Sequence, residues 1–396
     1  MKSSNLFFLL IFSLILQSCN DKGASENQNK EKEDFIKIEA KSLSITNSFL
    51  NSIEQESTRG IGQGLYPEYY GGYYISNERI PVFLVVDGME NEAITDINKR
   101  TESDYFLIEK CENSYNDLNR IILELRDKFM NPSLEEKINS LGWIGQYIDV
   151  KQNLIIVELE DISGDRISKF KELIQDSPLI EFIHGEETLL QDNKKKSSQS
   201  LSNRSTNLNL GGAFYVPTFG EGSIGYRVSH FSGGKGFVTC GHVISSGVTA
   251  KLYNNGPTIG YCYQSITNGV DAAYVEVNSP YALTMNSAYR NNLLNNRVII
   301  LGKNDYVQKE GCATYHSAGN VTEVGYDTTF TTPFGARFRA TNLTVCTYNS
   351  TTGDSGGVTY SLTNSIAGIH MGSGTNNRHY YVTAGNINTA LGVSMY

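Results

Sequence analysis

The sequence predicts two structural units of different class, an α+β amino-terminal half and an all-β carboxy-terminal half. From residue 211 onward, short apolar or alternating runs are broken by Gly, Asn, Ser and Thr about every ten residues, a spacing typical of a β sandwich or barrel. Before residue 190, strand-like runs alternate with amphipathic segments. The chain has 396 residues, of which 39% are hydrophobic, and it contains 24 Tyr and 37 Gly but 8 Pro. This composition excludes a disordered or collagen-like protein and argues against a helical bundle.

The first residues are expected to form an export signal. Lys2 is followed by an apolar stretch over residues 6–16, and the chain turns abruptly polar after Cys19. Gln17, Ser18 and Cys19 stand in an order that resembles the lipobox of bacterial lipoproteins. We therefore expect residues 1–19 to be a lipoprotein signal peptide with Cys19 lipidated, although an ordinary cleaved signal is the alternative. The product would be an exported membrane lipoprotein precursor whose folded part is periplasmic, on the cell surface or released.

Composition divides the rest of the chain into four segments. They are a polar tether over residues 20–34, an α+β unit over 35–190, a Lys-, Ser- and Asn-rich linker over 191–210 and a β domain over 211–396. No apolar run of about 18 residues follows the first twenty, so we expect no further membrane span.

The α+β unit shows a helix and a weak internal repeat. Apolar residues recur at helical spacing over 115–130, and the segments 72–86 and 145–157 both read as strand, polar turn, strand. Residues 211–396 carry ten Lys and Arg against eight Asp and Glu, a net charge of +2, which leaves −11 for residues 1–210 within the total of −9. The acidic first half is thus suited to dock on the mildly basic second half.

Three short segments of the β domain carry groups for nucleophilic acyl transfer. His242 follows an apolar strand in a Gly-containing turn, Asp271 stands at the start of another apolar strand, and Ser355 lies between glycines. Acyl transfer needs a hydroxyl beside a base, a buried carboxylate that orients the base, and backbone N–H groups for the oxyanion. Each segment alone is common in structural loops, but together and in this order they predict a serine protease site.

The β domain resembles the chymotrypsin-like proteases of the bacterial streptogrisin type over the whole of 211–396. The resemblance implies two antiparallel six-stranded β barrels, with His242 and Asp271 from the first and Ser355 from the second. It implies that Ser355 attacks the scissile carbonyl, His242 transfers the proton, Asp271 orients His242, and the N–H groups of Gly353 and Ser355 form the oxyanion hole. It implies no cofactor and no metal.

The cysteines depart from the pattern of this family. Six Cys are present, and Cys240, Cys262, Cys312 and Cys346 lie in the β domain of an exported protein, which suggests two disulfides. Sequence order favours pairing Cys240 with Cys262 and Cys312 with Cys346; buried free thiols are the alternative. Many relatives carry Ala where this chain has Cys240.

The specificity pocket is predicted from the segment after the nucleophile. Alignment with the family places His370 and Ser373 on the pocket wall and Ser350 near its base, a combination similar to that of bacterial glutamyl endopeptidases. One imidazole and two hydroxyls can hydrogen-bond a Glu carboxylate. The alternative is a structural His370 and a pocket for medium apolar residues.

The segment around residues 143–159 is similar to the pro-region of streptogrisin-type precursors. The resemblance implies that the first half assists folding of the slow-folding β domain and inhibits it as an intramolecular partner; a separate binding domain is the alternative. Polypeptides are the expected substrates. Nucleic-acid binding is disfavoured by the acidic balance and metalloenzyme chemistry by the absence of ligand spacing among the six His. The main rival function is a catalytically silent lipoprotein that uses the protease fold as a binding module.

Overall fold

The protein is described here from a computed structural model, which covers residues 22–58, 66–190, 206–331, 337–374 and 378–396. The predicted signal peptide, with Cys19, lies outside the described residues. In the described part of the chain, no helix has both the length and the apolar character needed to cross a bilayer.

The amino-terminal unit is α+β, as the sequence predicts. Its helices are α1 (Lys22–Thr58), α2 (Glu90–Thr101), α3 (Tyr115–Phe129), α4 (Glu135–Leu141) and α5 (Gly164–Leu173), with a 3₁₀ turn at Pro132–Leu134. Its strands are β1 (Tyr70–Ile75), β2 (Pro81–Val86), β3 (Leu107–Cys111), β4 (Trp143–Asp149), β5 (Leu154–Leu159), β6 (Ile180–His184) and β7 (Thr188–Leu189). The two predicted strand–turn–strand segments are the hairpins β1–β2 and β4–β5.

Helix α3 confirms the helix predicted from its apolar spacing. The Ser114 hydroxyl caps its start by accepting a hydrogen bond from the Asp117 N–H at 3.2 Å. The apolar face is buried against the β4–β5 hairpin and consists of Leu118, Ile121, Ile122, Leu125 and Phe129.

Two predicted boundaries need correction. Residues 22–34, assigned to the tether, belong to α1, because Lys, Glu and Gln are good helix formers as well as typical linker residues. Residues 207–210, assigned to the linker, form β8, which pairs in parallel with a strand of the β domain.

The carboxy-terminal half is β-rich. Its first strands are β8 (Asn207–Leu210), β9 (Ala213–Val216), β10 (Gly220–Ser223), β11 (Arg227–His230), β12 (Lys235–Thr239), β13 (Thr249–Lys251), β14 (Thr258–Ile266), β15 (Ala272–Val277) and β16 (Ala282–Ser287). They are followed by β17 (Asn295–Val298), β18 (Tyr306–Gly311), β19 (Tyr315–Thr331), β20 (Arg337–Cys346), β21 (Val358–Ser361), β22 (Ser365–Ser373), β23 (His379–Thr383), α6 (Ala384–Leu391) and β24 (Val393–Met395).

The strand pairing differs in part from the expected two six-stranded barrels. The first sheet runs β10-β9-β13-β14-β15-β12-β11-β24 and is eight-stranded in the described residues, with β10 and the carboxy-terminal β24 at its two edges. In the second sheet, the antiparallel order β18-β21-β22-β23-β20-β19 closes on itself through a β18–β19 pairing.

The long strand β19 joins the two halves of the chain. Residues 315–320 pair with β18, whereas residues 321–331 pair with β20 and carry several register shifts that bend the strand away. Where β19 no longer pairs with β18, its free edge pairs antiparallel with β4. Gln146 lies opposite Asp327 and Gly145 opposite Thr328. A Cβ at Gly145 would lie 2.5 Å from the Asp327 carbonyl oxygen, so the close approach requires glycine. Strands β4, β5 and β6 thereby continue the second sheet of the carboxy-terminal half.

Candidate active site

His242 and Asp271 meet because their strands are antiparallel neighbours. Thr239, the last residue of β12, pairs with Ala273 near the start of β15, so the turn after β12 lies beside the residue that precedes β15. The Asp271 carboxylate accepts hydrogen bonds from His242 twice, with Oδ2 at 2.5 Å from Nδ1 and Oδ1 at 2.8 Å from the backbone N. Asp271 is fully buried, while the His242 side chain is 16% exposed. This is the arrangement that fixes one tautomer of an imidazole base and leaves Nε2 for the substrate side.

Ser355 lies on a turn shaped by two glycines with positive φ. Gly353 has φ of 104° and Gly356 has φ of 87°. A Cβ at Gly356 would lie 2.0 Å from the Thr239 hydroxyl, so this turn packs directly on the end of the strand that leads to His242. The Ser355 hydroxyl donates to the Met371 carbonyl at 3.2 Å. Within the described part of the chain, the backbone N–H groups of Gly353 and Ser355 have no protein acceptor, as an oxyanion hole requires.

A buried ion pair fixes the turn that carries Ser355. Lys309 on β18 and Asp354 lie 2.6 Å apart, and both side chains are fully buried. The other Asp354 oxygen accepts from the backbone N–H groups of Ala313 and Thr314, each at 2.9 Å. Burial opposes ionisation of Asp354, but the Lys309 charge and the hydrogen bonds from the Lys309 ammonium and the Thr314 hydroxyl hold its pKa at about 2. The loop is thus fixed by a charge from within the chain, consistent with a structural rather than catalytic role for Asp354.

The predicted pocket residues belong to one hydrogen-bonded group. His370 Nδ1 lies 2.9 Å from the Tyr348 hydroxyl, and Ser350 Oγ lies 2.8 Å from Nδ1 of His379. The ring of Tyr348 packs against both imidazoles, with centroid separations of 5.5 Å to His370 and 5.8 Å to His379. Ser373 is buried opposite His379 in the β22–β23 pairing. The structure therefore brings His370, Ser350 and Ser373 to one place, with His379 and Tyr348 between them.

Sequence reasoning missed His379 and Tyr348. His379 lies nine positions after His370, and the register that brings the two side chains together is set by the β22–β23 hairpin. Burial and the charge of Lys309 lower the pKa of His379 to about 4, and burial lowers that of His370 well below its usual value. Both imidazoles are consequently neutral at pH 7. Among the described residues, Nε2 of His379 is buried without a protein partner.

The two predicted disulfides are absent, and the cysteines of the β domain are buried free thiols. Cys262 on β14 pairs with Val275 of β15, and Val275 pairs on its other side with Phe237 of β12. Strand β15 therefore separates Cys262 from the segment that carries Cys240, a gap of about 10 Å that a disulfide cannot span. Cys312 instead donates to the Gly353 carbonyl at 2.9 Å, and Cys346 to the His379 carbonyl at 3.3 Å.

Cys240, His242 and Asp271 are of the residue types that ligate metals, with one ligand atom each within 4.8 Å of the others. The separation of 2.5 Å between His242 Nδ1 and Asp271 Oδ2 is that of a direct hydrogen bond. A metal bound at about 2.0–2.2 Å to each atom would hold them more than 3 Å apart. The present geometry therefore fits a base and its orienting acid rather than a metal centre.

The end of the amino-terminal unit lies on β22, the strand that carries the predicted pocket residues His370 and Ser373. Thr188 and Leu189 form β7, which pairs in parallel with β19, and the Leu190 N–H donates to the Thr331 carbonyl at 3.0 Å. A Cβ at Gly372 would lie 2.8 Å from the Leu190 side chain, and one at Gly374 would lie 2.8 Å from that of Thr188. Residues 188–190 thus cover the end of β22 next to Ser373.

Ion pairs join the amino-terminal unit to the β domain. Most pair a carboxylate of the amino-terminal unit with a base of the β domain, as the charge division predicts: Glu135 with Arg339, Glu158 with Arg378, Glu187 with Arg337, and Asp149 with Lys303. The reverse pair, Arg126 with Asp327 at 3.0 Å, has a fully buried carboxylate that also accepts from Gln146 and from the Asn342 N–H.

Comparison with known proteins agrees with this division. Residues 116–185, from α3 through β6, match the model of a family described as a Pro-like C-terminal domain. No curated protein matches the chain. Solved structures similar to it include Thermobifida fusca protease A (21% identity, covering 48% of this chain and 97% of that one, TM-score 0.41) and a Nocardiopsis protease (24%, 48% and 98%, 0.41). A further one is described as a glutamic acid specific serine protease that uses a histidine triad in substrate binding (21%, 48% and 100%, 0.39). Residues 116–185 thus resemble a Pro-like C-terminal domain.

Proposed function

We propose that the protein is a serine endopeptidase made as a zymogen. The observation that carries the proposal is the short contact between His242 Nδ1 and the buried Asp271 carboxylate, next to a serine held on a glycine turn. Within the described residues, the two N–H groups at that turn have no protein acceptor. Acyl transfer needs a buried carboxylate, an imidazole, a hydroxyl and N–H donors for the oxyanion.

In the proposed mechanism, Ser355 Oγ turns from the Met371 carbonyl toward His242 and attacks the scissile carbonyl. His242 takes the hydroxyl proton on Nε2 while its Nδ1–H donates to Asp271, whose negative charge stabilises the imidazolium. The N–H groups of Gly353 and Ser355 bind the oxyanion. His242 then gives the proton to the leaving amine, and a water molecule hydrolyses the acyl-enzyme by the same route. No step needs a cofactor.

We further propose that the pocket prefers Glu. At pH 7 the neutral imidazoles of His370 and His379 and the hydroxyls of Ser350 and Ser373 are polar groups able to bind a carboxylate without burying a second charge. The unpartnered Nε2 of His379 supports this reading, because a buried nitrogen without an acceptor is a site where a carboxylate oxygen would gain a hydrogen bond. A pocket for medium apolar residues is the second candidate, favoured by the complete burial of His370 and its hydrogen bond to the Tyr348 hydroxyl, which fit a structural role.

The amino-terminal unit is proposed to inhibit the site and to assist folding. Support comes from the β4–β19 pairing, which joins this unit to the second sheet, and from the Leu190 side chain, which lies at Gly372 next to the predicted pocket residue Ser373. Activation would then require cleavage between residue 190 and the β domain. Export with lipid attachment at Cys19 is the proposed origin of a membrane-bound precursor.

A peptide-library digestion tests the proposal. The full chain is cut with a Lys-specific protease at Lys194–Lys196, that protease is inhibited, and products are read by mass spectrometry beside the Ser355→Ala variant. We expect Ser355-dependent cleavage, mostly after Glu, and loss of the Glu preference in His370→Ala. Equal cleavage after Glu and Leu would reject the Glu pocket, while absence of Ser355-dependent cleavage would favour the silent binding module.

A further inference from the structure

Cys240 lies at the point where three parts of the candidate site meet. Its side chain is fully buried, and its thiol donates to the His370 carbonyl at 3.1 Å. The same carbonyl accepts the Gly356 N–H at 2.8 Å, next to Ser355. The thiol sulfur also lies within 4.8 Å of ligand atoms of both Asp271 and His242. The sulfur atom therefore lies against the carbonyl that also holds the nucleophile turn, and within 4.8 Å of the candidate acid–base pair.

The thiol is held in its neutral form. Burial, followed by the negative charge of Asp271, raises the pKa of Cys240 well above its usual value. A neutral thiol offers one weak donor and a polarisable surface. It can therefore satisfy the His370 carbonyl and pack on the Asp271 carboxylate without adding a second negative charge beside it.

We propose that Cys240 is a positioning residue for the reaction, which rests on the proposed function. Its side chain fixes the distance between Asp271 and the His370 backbone. Because the His370 carbonyl also accepts the Gly356 N–H, the same side chain fixes the position of the turn that carries Ser355. Misplacement of reacting groups by a fraction of an ångström lowers the rate of the chemical step more than it weakens substrate binding. Loss of the thiol should accordingly reduce kcat and leave KM nearly unchanged.

Two substitutions and a matched control test the proposal in the full chain cut at Lys194–Lys196. Cys240→Ala removes the donor, whereas Cys240→Ser keeps one, a hydroxyl able to donate to the same His370 carbonyl. Cys262→Ala is the control, because Cys262 is an equally buried thiol of the same sheet that donates instead to the Gln264 carbonyl at 3.4 Å. Rates are divided by the number of active sites titrated with a fluorophosphonate, so that misfolded molecules do not count.

We expect Cys240→Ala to lower kcat per titrated site about tenfold with KM within about twofold. Cys240→Ser should stay within about threefold of the unaltered chain, because its hydroxyl keeps a donor for the His370 carbonyl. Cys262→Ala should behave as the unaltered chain.

Equal kcat per site in Cys240→Ala and the unaltered chain would overturn the inference alone, and so would a Cys240→Ser variant no better than Cys240→Ala. If the unaltered chain shows no Ser355-dependent cleavage, the proposed function fails and this inference fails with it.

Discussion

Replacing Asp271 by Asn changes one atom of the candidate site and should nearly silence it. The Asn oxygen can still accept the His242 backbone N–H, now made at 2.8 Å by Oδ1. The amide nitrogen must then face Nδ1 at the position where Oδ2 now lies 2.5 Å away. Since an amide N–H donates, Nδ1 has to accept, and the imidazole proton moves to Nε2. A protonated Nε2 cannot take the proton from Ser355.

The expected loss is about 10⁴-fold in kcat, the size known for this change in other Ser-His-Asp sites. At about 1.36 kcal/mol per tenfold, this corresponds to about 5.4 kcal/mol of transition-state stabilisation. The assay is kcat per titrated active site on the best library peptide, with the chain cut at Lys194–Lys196. KM should change little, because the pocket is untouched.

Asp305→Asn is the matched control for this experiment. Asp305 is also fully buried in the carboxy-terminal half, but it bonds the Gly302 N–H at 2.7 Å and not His242. Burial raises its pKa well above the usual range, so a neutral amide is a close replacement. We expect activity within about twofold of the unaltered chain. An Asp271→Asn variant with more than a tenth of normal kcat would refute the assignment of Asp271.

Three further predictions concern the predicted oxyanion turn, an ion pair between the two halves and the predicted pocket. Gly353→Ala should cut kcat by about 10²–10³, because a Cβ at φ 104° and 3.2 Å from Ala313 displaces an oxyanion donor; normal turnover would contradict this. Arg126→Met should lower the free energy of unfolding of the uncut chain in urea by about 3–5 kcal/mol, because it leaves the buried Asp327 carboxylate without its ion-pair partner. Adding Asp327→Asn to this variant should restore stability. In His379→Gln, the free energy of unfolding in urea should fall less between pH 6.5 and pH 4 than in the unaltered chain. In that range the imidazole of the unfolded chain gains a proton, whereas the folded one, with a pKa of about 4, does not. The same pH dependence in both proteins would refute this prediction.

The acid–base pair was predictable because each partner is marked locally. His242 and Asp271 each adjoin an apolar strand, and both strands are short enough to be read from the sequence. Gly241 supports the reading, since a Cβ there would lie 1.9 Å from the Ile266 carbonyl oxygen. What the sequence leaves open is that these strands are adjacent and antiparallel, which depends on the whole sheet.

The pocket and the cysteines were less predictable because they depend on register and strand order. His379 contacts Ser350 as a result of the β20–β23 pairing, in which Cys346 lies opposite His379, and no local pattern marks this contact. The proposed Cys240–Cys262 disulfide looked reasonable from chain order, but β15 lies between the two strands. Similarly, the composition of residues 22–34 suits a linker and a helix equally well, and contacts elsewhere decide between them: Glu39 of α1 accepts the Tyr306 N–H at 2.9 Å.

The most direct test of the account is to identify the residue that reacts with a fluorophosphonate. The full chain, cut at Lys194–Lys196, is labelled and mapped by tandem mass spectrometry beside a His242→Ala variant. We expect one label on Ser355 and a labelling rate at least about 10³-fold lower without His242. Labelling of another residue, or of Ser355 at the same rate in both proteins, would contradict it.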